Sequence, residues 1–255
     1  MASIKTNNAA AITTAIVTIV AVSTALTLLT LTGCGGSATR VVVAKGYKKQ
    51  FAIDATVAVA VIDQSPQVIY FGNLKKSLGL QGDKTSETAL AWRHFDYLMA
   101  KHIKQEIDVK DAFRGEPVLD YLVTKEGVRT IDESVIIEVP DIGTHVKFEG
   151  GKEASLVLFL DKIRIGTETD PYYQERAQQG FYTGIPRKLV YLTSFLLWDN
   201  RERKPICYGR VKTTSPIIRE EAAAANWDEV TRELVRKIFE PTGFRKRNDM
   251  GKMSD

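Results

Sequence analysis

Apolar residues are distributed very differently in the two parts of the chain. Residues 9–32 form a long run of aliphatic residues and threonines, and the whole segment before Cys34 has no acidic residue and one base, Lys5. After Cys34 the chain mixes charged, aromatic and aliphatic residues, as folded domains do. Because about 20 apolar residues are enough to span a bilayer, the first part is predicted to be a targeting or anchoring segment.

Several short apolar stretches in the second part predict strands. Residues 55–63 are continuously apolar and rich in β-branched side chains, which indicates a strand buried on both faces. Residues 154–166 begin in the same way and then alternate apolar and basic positions, so a central strand with a half-exposed end is expected. Residues 135–139 predict another strand. Residues 189–198 and 206–213 flank a polar loop and predict an antiparallel hairpin.

Two segments repeat apolar residues at helical spacing. The first follows Ser86, a good N-cap residue, and is predicted to be a helix that extends to about Gln105. The second covers residues 227–239 and predicts an amphipathic helix capped by Asn226 or a neighbour and ended by Pro241 and Gly243. A shorter helix is predicted within residues 118–127.

This order of elements predicts an α/β fold of the α+β kind, with a mixed central sheet and helices packed on it. The 255-residue chain is long enough for a sizeable core. We expect one folded domain at residues 55–240, preceded by a signal peptide at 1–33 and a tether at 34–54. A basic, disordered tail is expected at residues 241–255.

The apolar run ends in Leu31, Thr32, Gly33 and Cys34, which resemble the lipobox of bacterial lipoproteins: an aliphatic residue, a small residue, Gly or Ala, and Cys. Small residues before a cleavage point suit signal peptidases. The resemblance implies a diacylglyceryl group on the Cys34 thiol, cleavage before it, and firm membrane attachment through two or more acyl chains. Because Gly35 stands where an Asp would imply inner-membrane retention, the resemblance implies the periplasmic face of an outer membrane.

Two other interpretations of the apolar run stay open at this point. It could be an uncleaved signal anchor, although it contains six threonines between Thr13 and Thr30 and no basic cluster follows it. It could also be an ordinary signal peptide cut elsewhere, which would leave Cys34 as a free thiol.

Charge and cysteine content narrow the function further. The net charge is +4, and loss of Lys5 with the signal peptide leaves +3, which gives no reason to expect nucleic acid as a partner. The other cysteine, Cys207, lies in an apolar stretch and is expected to be a small buried core residue. If Cys34 carries lipid, these two cysteines cannot form a disulfide.

The motifs of common catalytic sites are absent from the sequence, including G-x-S-x-G, H-E-x-x-H, C-x-x-C and G-x-G-x-x-G. His94 and His102 are eight residues apart on one predicted helix, so we interpret each as a helix-face residue and expect no metal. Asp161, Asp170 and Asp199 are interpreted as solvated turn or edge residues. No cofactor is expected.

The connection after the long strand is the most suggestive surface. It carries Tyr172, Tyr173, Phe181 and Tyr182 in a polar context. Aromatic side chains supply large contact areas in interfaces, which favours a partner-binding role for these four. The alternative is that the rings fold back and cover the edge of the sheet.

The order of elements, with the hairpin leading into the final helix, resembles a group of envelope lipoproteins that share the fold of the amino-terminal domain of TolB. The group includes accessory lipoproteins of curli and polysaccharide export and an activator of penicillin-binding proteins. The resemblance implies a non-enzymatic interaction or assembly module that binds envelope proteins or self-associates. The alternative kept open is a lipid-anchored enzyme that acts on cell-wall or lipid substrates.

Overall fold

The computed structural model describes residues 39–48, 55–63, 66–107, 109–118, 129–132, 135–169, 187–218 and 221–244. For residues 129–132, 135, 136 and 138 only the backbone is described. Residues 39–255 form one compact unit by themselves. The predicted signal peptide, Cys34 and residues 245–255 of the predicted tail lie outside the described ranges. The first residues of that tail, 241–244, are described, and Phe244 is buried in the core. Within those ranges, no helix is long and apolar enough to cross a membrane.

The described chain contains nine strands and three α-helices. The strands are β1 (Arg40–Val43), β2 (Thr56–Val61), β3 (Gln67–Val68), β4 (Asp111–Arg114), β5 (Arg129–Asp132), β6 (Val135–Val139), β7 (Leu156–Thr169), β8 (Arg187–Asp199) and β9 (Lys204–Ile217). The helices are α1 (Leu74–Ser77), α2 (Glu87–Glu106) and α3 (Ala224–Phe239), and 3₁₀ turns occur at Glu149–Gly151 and Glu240–Thr242. Most of the short helix predicted within residues 118–127 falls outside the described ranges.

Seven strands form a mixed, open sheet in the order β1-β9-β8-β7-β2-β4, with β3 also paired to β7. Strand β2 is parallel to β4 and β7. In the order β7, β8, β9 and β1, each strand is antiparallel to the next. The predicted α+β fold is confirmed, and so is the antiparallel hairpin of β8 and β9. Strand β1 lies inside the segment predicted as a tether, and it approaches β9 so closely that a Cβ on Gly209 would collide with the Arg40 carbonyl oxygen.

The main core lies between one face of this sheet and helices α2 and α3. Leu158 and Leu160 of β7 point into it and are fully buried, which confirms that β7 is a central strand. Phe95 of α2 and Leu234 of α3 are buried in the same cluster. The helical periodicity of the sequence therefore matches the apolar stripes that the helices bury.

The helix ends differ in how well the sequence predicted them. The Ser86 hydroxyl accepts a hydrogen bond from the backbone N–H of Ala89 at 3.2 Å, as expected of an N-cap. The cap of α3 was predicted at Asn226 or a neighbour, and the N-cap is Ala223, three residues before Asn226. Ala223 has no side-chain acceptor, and Asn226, three residues on, accepts instead from the Ala223 N–H through Oδ1 at 2.9 Å. Gly243 ends the last turn with φ +80°.

Among the described residues, those that pack on the second face of the sheet cover about half of it. Ile137 and Val139 of β6 pack with Phe159 and Trp198 in a smaller core on this side. The remaining half is formed by alternate residues of four strands, and most of its charged side chains are exposed: Arg40 of β1, Asp161, Arg164, Gly166 and Glu168 of β7, Lys188, Val190, Leu192 and Ser194 of β8, and Arg210, Lys212, Thr214 and Pro216 of β9. We call this region the open sheet face.

Candidate functional site

The residues predicted to carry lipid or bind partners lie outside the described part of the chain. These are Cys34 and the four aromatic residues Tyr172, Tyr173, Phe181 and Tyr182. The structure does place the two ends of the aromatic connection. Strand β7 ends at Thr169 and β8 begins at Arg187, so the connection joins two neighbouring antiparallel strands. The roles proposed for these five residues stay predictions.

A cleft of about 380 Å³ opens where strands β2 and β4 end. The two strands are parallel, and the connection between them includes α2, whose first half supplies Trp92 and Asp96 to the cleft. Crevices outside the carboxyl ends of parallel strands are common ligand sites in open sheets. The cleft is lined by Val61, Asp63, Pro66, Trp92, Asp96, Arg114 and Glu116.

One guanidinium group organises the charges of the cleft. Arg114 donates from Nη1 to Asp96 Oδ1 at 3.0 Å and from Nε to Glu116 Oε1 at 3.2 Å. Burial raises the pKa of Asp96, and the nearby Arg114 offsets this only in part. The direction of this shift favours the protonated form of Asp96.

The third carboxylate, Asp63, supports an irregularity in β7. The β7–β8 register shifts between Asp161 and Arg164, which marks a bulge, and Lys162 within it has φ +50°. Asp63 Oδ2 accepts a hydrogen bond from the backbone N–H of Ile163 at 2.7 Å. Asp63 therefore satisfies a donor that the bulge removes from the ladder.

A buried tyrosine, Tyr191, belongs to the main core, on the same side of the sheet as the cleft. Tyr191 is 1% exposed, and its ring stacks on Phe95 with centroids 5.3 Å apart. Its hydroxyl has no hydrogen-bond partner of acceptable geometry among the described residues. Burial raises the pKa of Tyr191, and the charges of Asp63 and Asp96 raise it further. This tyrosine consequently stays protonated.

Of the two histidines on α2, His102 links this helix to α3. His102 is 2% exposed, and its Nε2 lies 3.2 Å from Asp228 Oδ1, which also accepts from Lys101 Nζ at 2.6 Å. Burial lowers the pKa of His94, which stacks on Tyr97. In the described part of the chain, no three His, Cys, Asp or Glu side chains are grouped as a metal site would need. His102 is thus a buried link between helices, a role that sequence spacing did not indicate because Asp228 is 126 residues away.

Of the three aspartates interpreted as solvated, one is clearly different. Asp161 is half-exposed at the bulge, and Asp170 lies outside the described residues. Asp199 is 3% exposed, so its interpretation as a solvated turn residue was wrong. Its Oδ1 accepts from the backbone N–H groups of Arg201 and Glu202 at 2.9 and 3.0 Å. The carboxylate is buried because the tight β8–β9 turn needs an acceptor for those two donors.

Cys207 is confirmed as a buried core residue. It is 0% exposed, and its Sγ lies 3.7 Å from the carbonyl oxygen of Ile238 in α3. Burial raises the pKa of the thiol to about 12. A thiol in this position is neither ionised nor accessible at neutral pH, which fits a packing role.

The open sheet face carries several charged side chains on neighbouring strands. Register places Arg164, Leu192 and Lys212 side by side on β7, β8 and β9, and Asp161, Ser194, Arg210 and Arg40 in the neighbouring row. Lys188 and Glu168 form a third row. The face thus carries five basic and two acidic side chains, an excess of three positive charges, and Glu168 pairs with Lys212 at 2.7 Å. Half-buried Val190 and Leu192 lie at its centre.

Comparison with known proteins adds little to this picture. No protein-family model matches the chain, and no curated protein matches it. Among solved structures, a PelC dodecamer from Paraburkholderia phytofirmans aligns with 81% of this chain and 98% of its own at 11% identity, with a TM-score of 0.35. A likeness of that size supports no inference about this chain.

Proposed function

We propose that this protein is a lipid-anchored envelope lipoprotein whose folded part is a non-enzymatic interaction and assembly module on the periplasmic face of the outer membrane. Its membrane attachment is through acyl chains on Cys34. Its partners are envelope proteins, further copies of the same chain, or both.

The observation that carries the proposal is the position of the lipobox in the chain. Leu31, Thr32, Gly33 and Cys34 end the apolar run, and the compact unit starts at Thr39 after a tether rich in small residues. That arrangement suits cleavage before Cys34 and attachment of an independently folded unit through a short linker.

The carboxylates of the cleft also have structural roles that fit a non-enzymatic module. Asp96 and Glu116 are both engaged by Arg114, and Asp63 holds the bulge of β7. A catalytic carboxylate needs a position from which it can reach substrate. In the cleft, each of the three is tied to a neighbouring group of the fold.

Two sets of variants test the proposal against catalysis. One replaces Tyr172, Tyr173, Phe181 and Tyr182 together by Ala. The other changes one polar group at a time: Asp161→Asn, Asp170→Asn, Asp96→Asn, Glu116→Gln, His94→Gln or His102→Gln. Each is first checked for folding by circular dichroism. Truncation of a hot-spot ring costs about 2 kcal/mol or more of binding, whereas loss of one catalytic group costs orders of magnitude in rate.

The module proposal expects the aromatic variant to lose envelope complementation and the recovery of cross-linked partners, while every folded single variant keeps both. The proposal of a non-enzymatic module would be rejected if the aromatic variant complemented normally while a single carboxylate or histidine variant lost function. That result would favour the lipid-anchored enzyme.

A second candidate function, a lipid-anchored enzyme acting on cell-wall or lipid substrates, is favoured by one observation. The cleft brings together three carboxyl groups, and burial raises the pKa of one of them, Asp96. General acid–base hydrolysis uses a carboxyl group with a raised pKa close to a second carboxyl group. Under this candidate, Asp96→Asn abolishes function without unfolding the protein.

A further inference from the structure

We infer that the open sheet face lies against the anionic phospholipid headgroups of the membrane to which Cys34 attaches the chain. This inference rests on the proposed lipid anchor and adds the orientation of the folded unit on the bilayer. Three observations carry it: the charge of the face, the place where the tether joins it, and its apolar centre.

The first observation is charge complementarity. The face carries an excess of three positive charges, and Arg164, Lys188 and Arg210 are exposed on it. Each basic side chain held at an anionic bilayer surface strengthens partitioning by about fivefold. This attraction falls off within a Debye length of about 8 Å at physiological salt, so it acts only on a surface that is kept close to the headgroups.

The second observation is that the proposed lipid attachment site is close in the chain to this face. The compact unit begins at Thr39, whose hydroxyl forms two hydrogen bonds with the backbone of Lys212. The Oγ1 atom donates to the carbonyl oxygen at 3.1 Å and accepts from the N–H at 3.2 Å. Arg40 follows and belongs to the open sheet face. Four residues separate Cys34 from Thr39, and a chain of five residues spans at most about 18 Å even when fully extended. A lipid on Cys34 therefore holds the Arg40 and Lys212 edge of the face near the headgroups.

The third observation is the arrangement of apolar and basic side chains. Val190 and Leu192 lie in the middle, and Arg164, Lys188 and Arg210 surround them. The boundary between headgroups and acyl chains accommodates both kinds of group, because long basic side chains reach the phosphates while aliphatic ones lose contact with water. A sheet face with this composition fits a broad anionic surface better than a small ligand.

Photo-cross-linking tests the contact. The full chain is produced with p-benzoyl-phenylalanine in place of Thr214, which is exposed on the open sheet face, or in place of Thr88, which is exposed on α2 across the sheet. Each protein is reconstituted into vesicles of phosphatidylcholine alone or with 30 mol% phosphatidylglycerol. The phosphatidylglycerol supplies the negative surface charge that attracts basic side chains. Phospholipid adducts are measured by mass spectrometry.

The inference expects phospholipid adducts at position 214 in the anionic vesicles, at least tenfold above those at position 88, and a loss of this excess in 0.5 M salt. Equal adducts at both positions, or an excess that salt does not reduce, would overturn it. Chain-to-chain adducts at position 214 without phospholipid adducts would also overturn it, in favour of a second copy on this face.

A matched pair of charge variants adds a second measurement. Arg164→Glu, Lys188→Glu and Arg210→Glu together should lower the adducts at position 214 at least tenfold. Lys76→Glu, Lys84→Glu and Arg232→Glu make the same charge change on exposed residues of the helix side and should leave the adducts unchanged. Equal effects of the two triple variants would contradict the inference.

Lipidation of Cys34 is tested separately by fatty-acid labelling. Because the cross-linker does not use thiol chemistry, an unlabelled Cys34 would count against the proposed function, while the adduct comparison would still report on the face.

Discussion

Asp96 is held in an environment that opposes its charge. Burial raises its pKa, and the ion pair with Arg114 compensates only in part. A carboxyl group whose folded-state pKa is raised binds its proton more tightly in the native protein than in the unfolded chain. Its ionisation therefore takes stability away as the pH rises through the range above the unfolded value of 3.8.

Asp96→Asn removes this titration. The free energy of unfolding of the variant, minus that of the wild type, should increase between pH 3.5 and pH 7, because only the wild type carries the cost of the ionised group at higher pH. Urea unfolding at several pH values measures it. Glu153→Gln, at an exposed position before β7, is the control and should show a smaller change. A difference that stays constant or falls with pH would contradict the assignment.

Cys207 provides a second test at this scale. With Cys34 replaced by Ser, the folded protein should not react with a maleimide at pH 7, because the Cys207 thiol is fully buried and its pKa is raised to about 12. One thiol per chain should react after unfolding in guanidinium chloride. Rapid labelling of the folded protein would show that Cys207 does not pack under α3 as described.

At the scale of the elements, β7 connects the two halves of the sheet. Its first half lies between β2 and β8 and its second half between β3 and β8, and its side chains contribute to the cores on both faces. The bulge at residues 161–164 separates the fully buried half from the half that forms part of the open sheet face. Loss of packing in the first half should therefore affect the whole fold.

Leu158→Ala and Leu160→Ala should each lower the free energy of unfolding by roughly 2–5 kcal/mol, since each removes a fully buried side chain and leaves a cavity. Thermal or urea unfolding measures the change. Thr167→Val, at an exposed position of the same strand that keeps β-branching, should change it by less than about 0.5 kcal/mol. An unchanged midpoint in both leucine variants would contradict the position of β7 in the core.

The elements that the sequence predicted well are those with strong periodicity. The continuous apolar pattern of residues 154–166 and the helical spacing after Ser86 are local signals, and both matched the structure. Short elements with a weaker signal were placed less well: β1 includes Val41–Val43, which could begin structure but fall within the predicted tether, and α3 starts before Asn226. Strand β1 depends on its pairing with β9. The start of α3 depends on the Asn226 side chain, which accepts a hydrogen bond from the backbone N–H three residues earlier. Hydrophobic periodicity encodes neither of these contacts.

The cleft could not be predicted for a similar reason. Its charged residues come from the end of β2, from α2 and from the end of β4, and no short motif links Asp63, Asp96 and Arg114. The parallel pairing of β2 with β4 brings them together. The open sheet face was equally hidden, because alternating basic residues on β7 and β9 join one surface only through the register across β8.

The whole molecule, under the proposed function, is a folded unit held at a membrane by its first residues. The compact unit begins at Thr39, and its first strand is the edge strand β1. Under that proposal, the chain from Cys34 enters the folded unit directly before β1. With Gly35 after the cysteine, fractionation of a Gram-negative host should recover the protein with the outer membrane, and recovery with the inner membrane would count against that location.

Lipidation of Cys34 is the modification on which both the proposed function and the membrane orientation depend. Cells expressing the wild-type chain or Cys34→Ser are grown with an alkyne fatty acid, and the purified proteins are coupled to a fluorophore and compared on a gel. We expect strong labelling of the wild type and none of Cys34→Ser, because acyl chains are attached at that residue alone. Equal labelling of the two proteins, or no labelling of the wild type, would contradict the lipoprotein function proposed here.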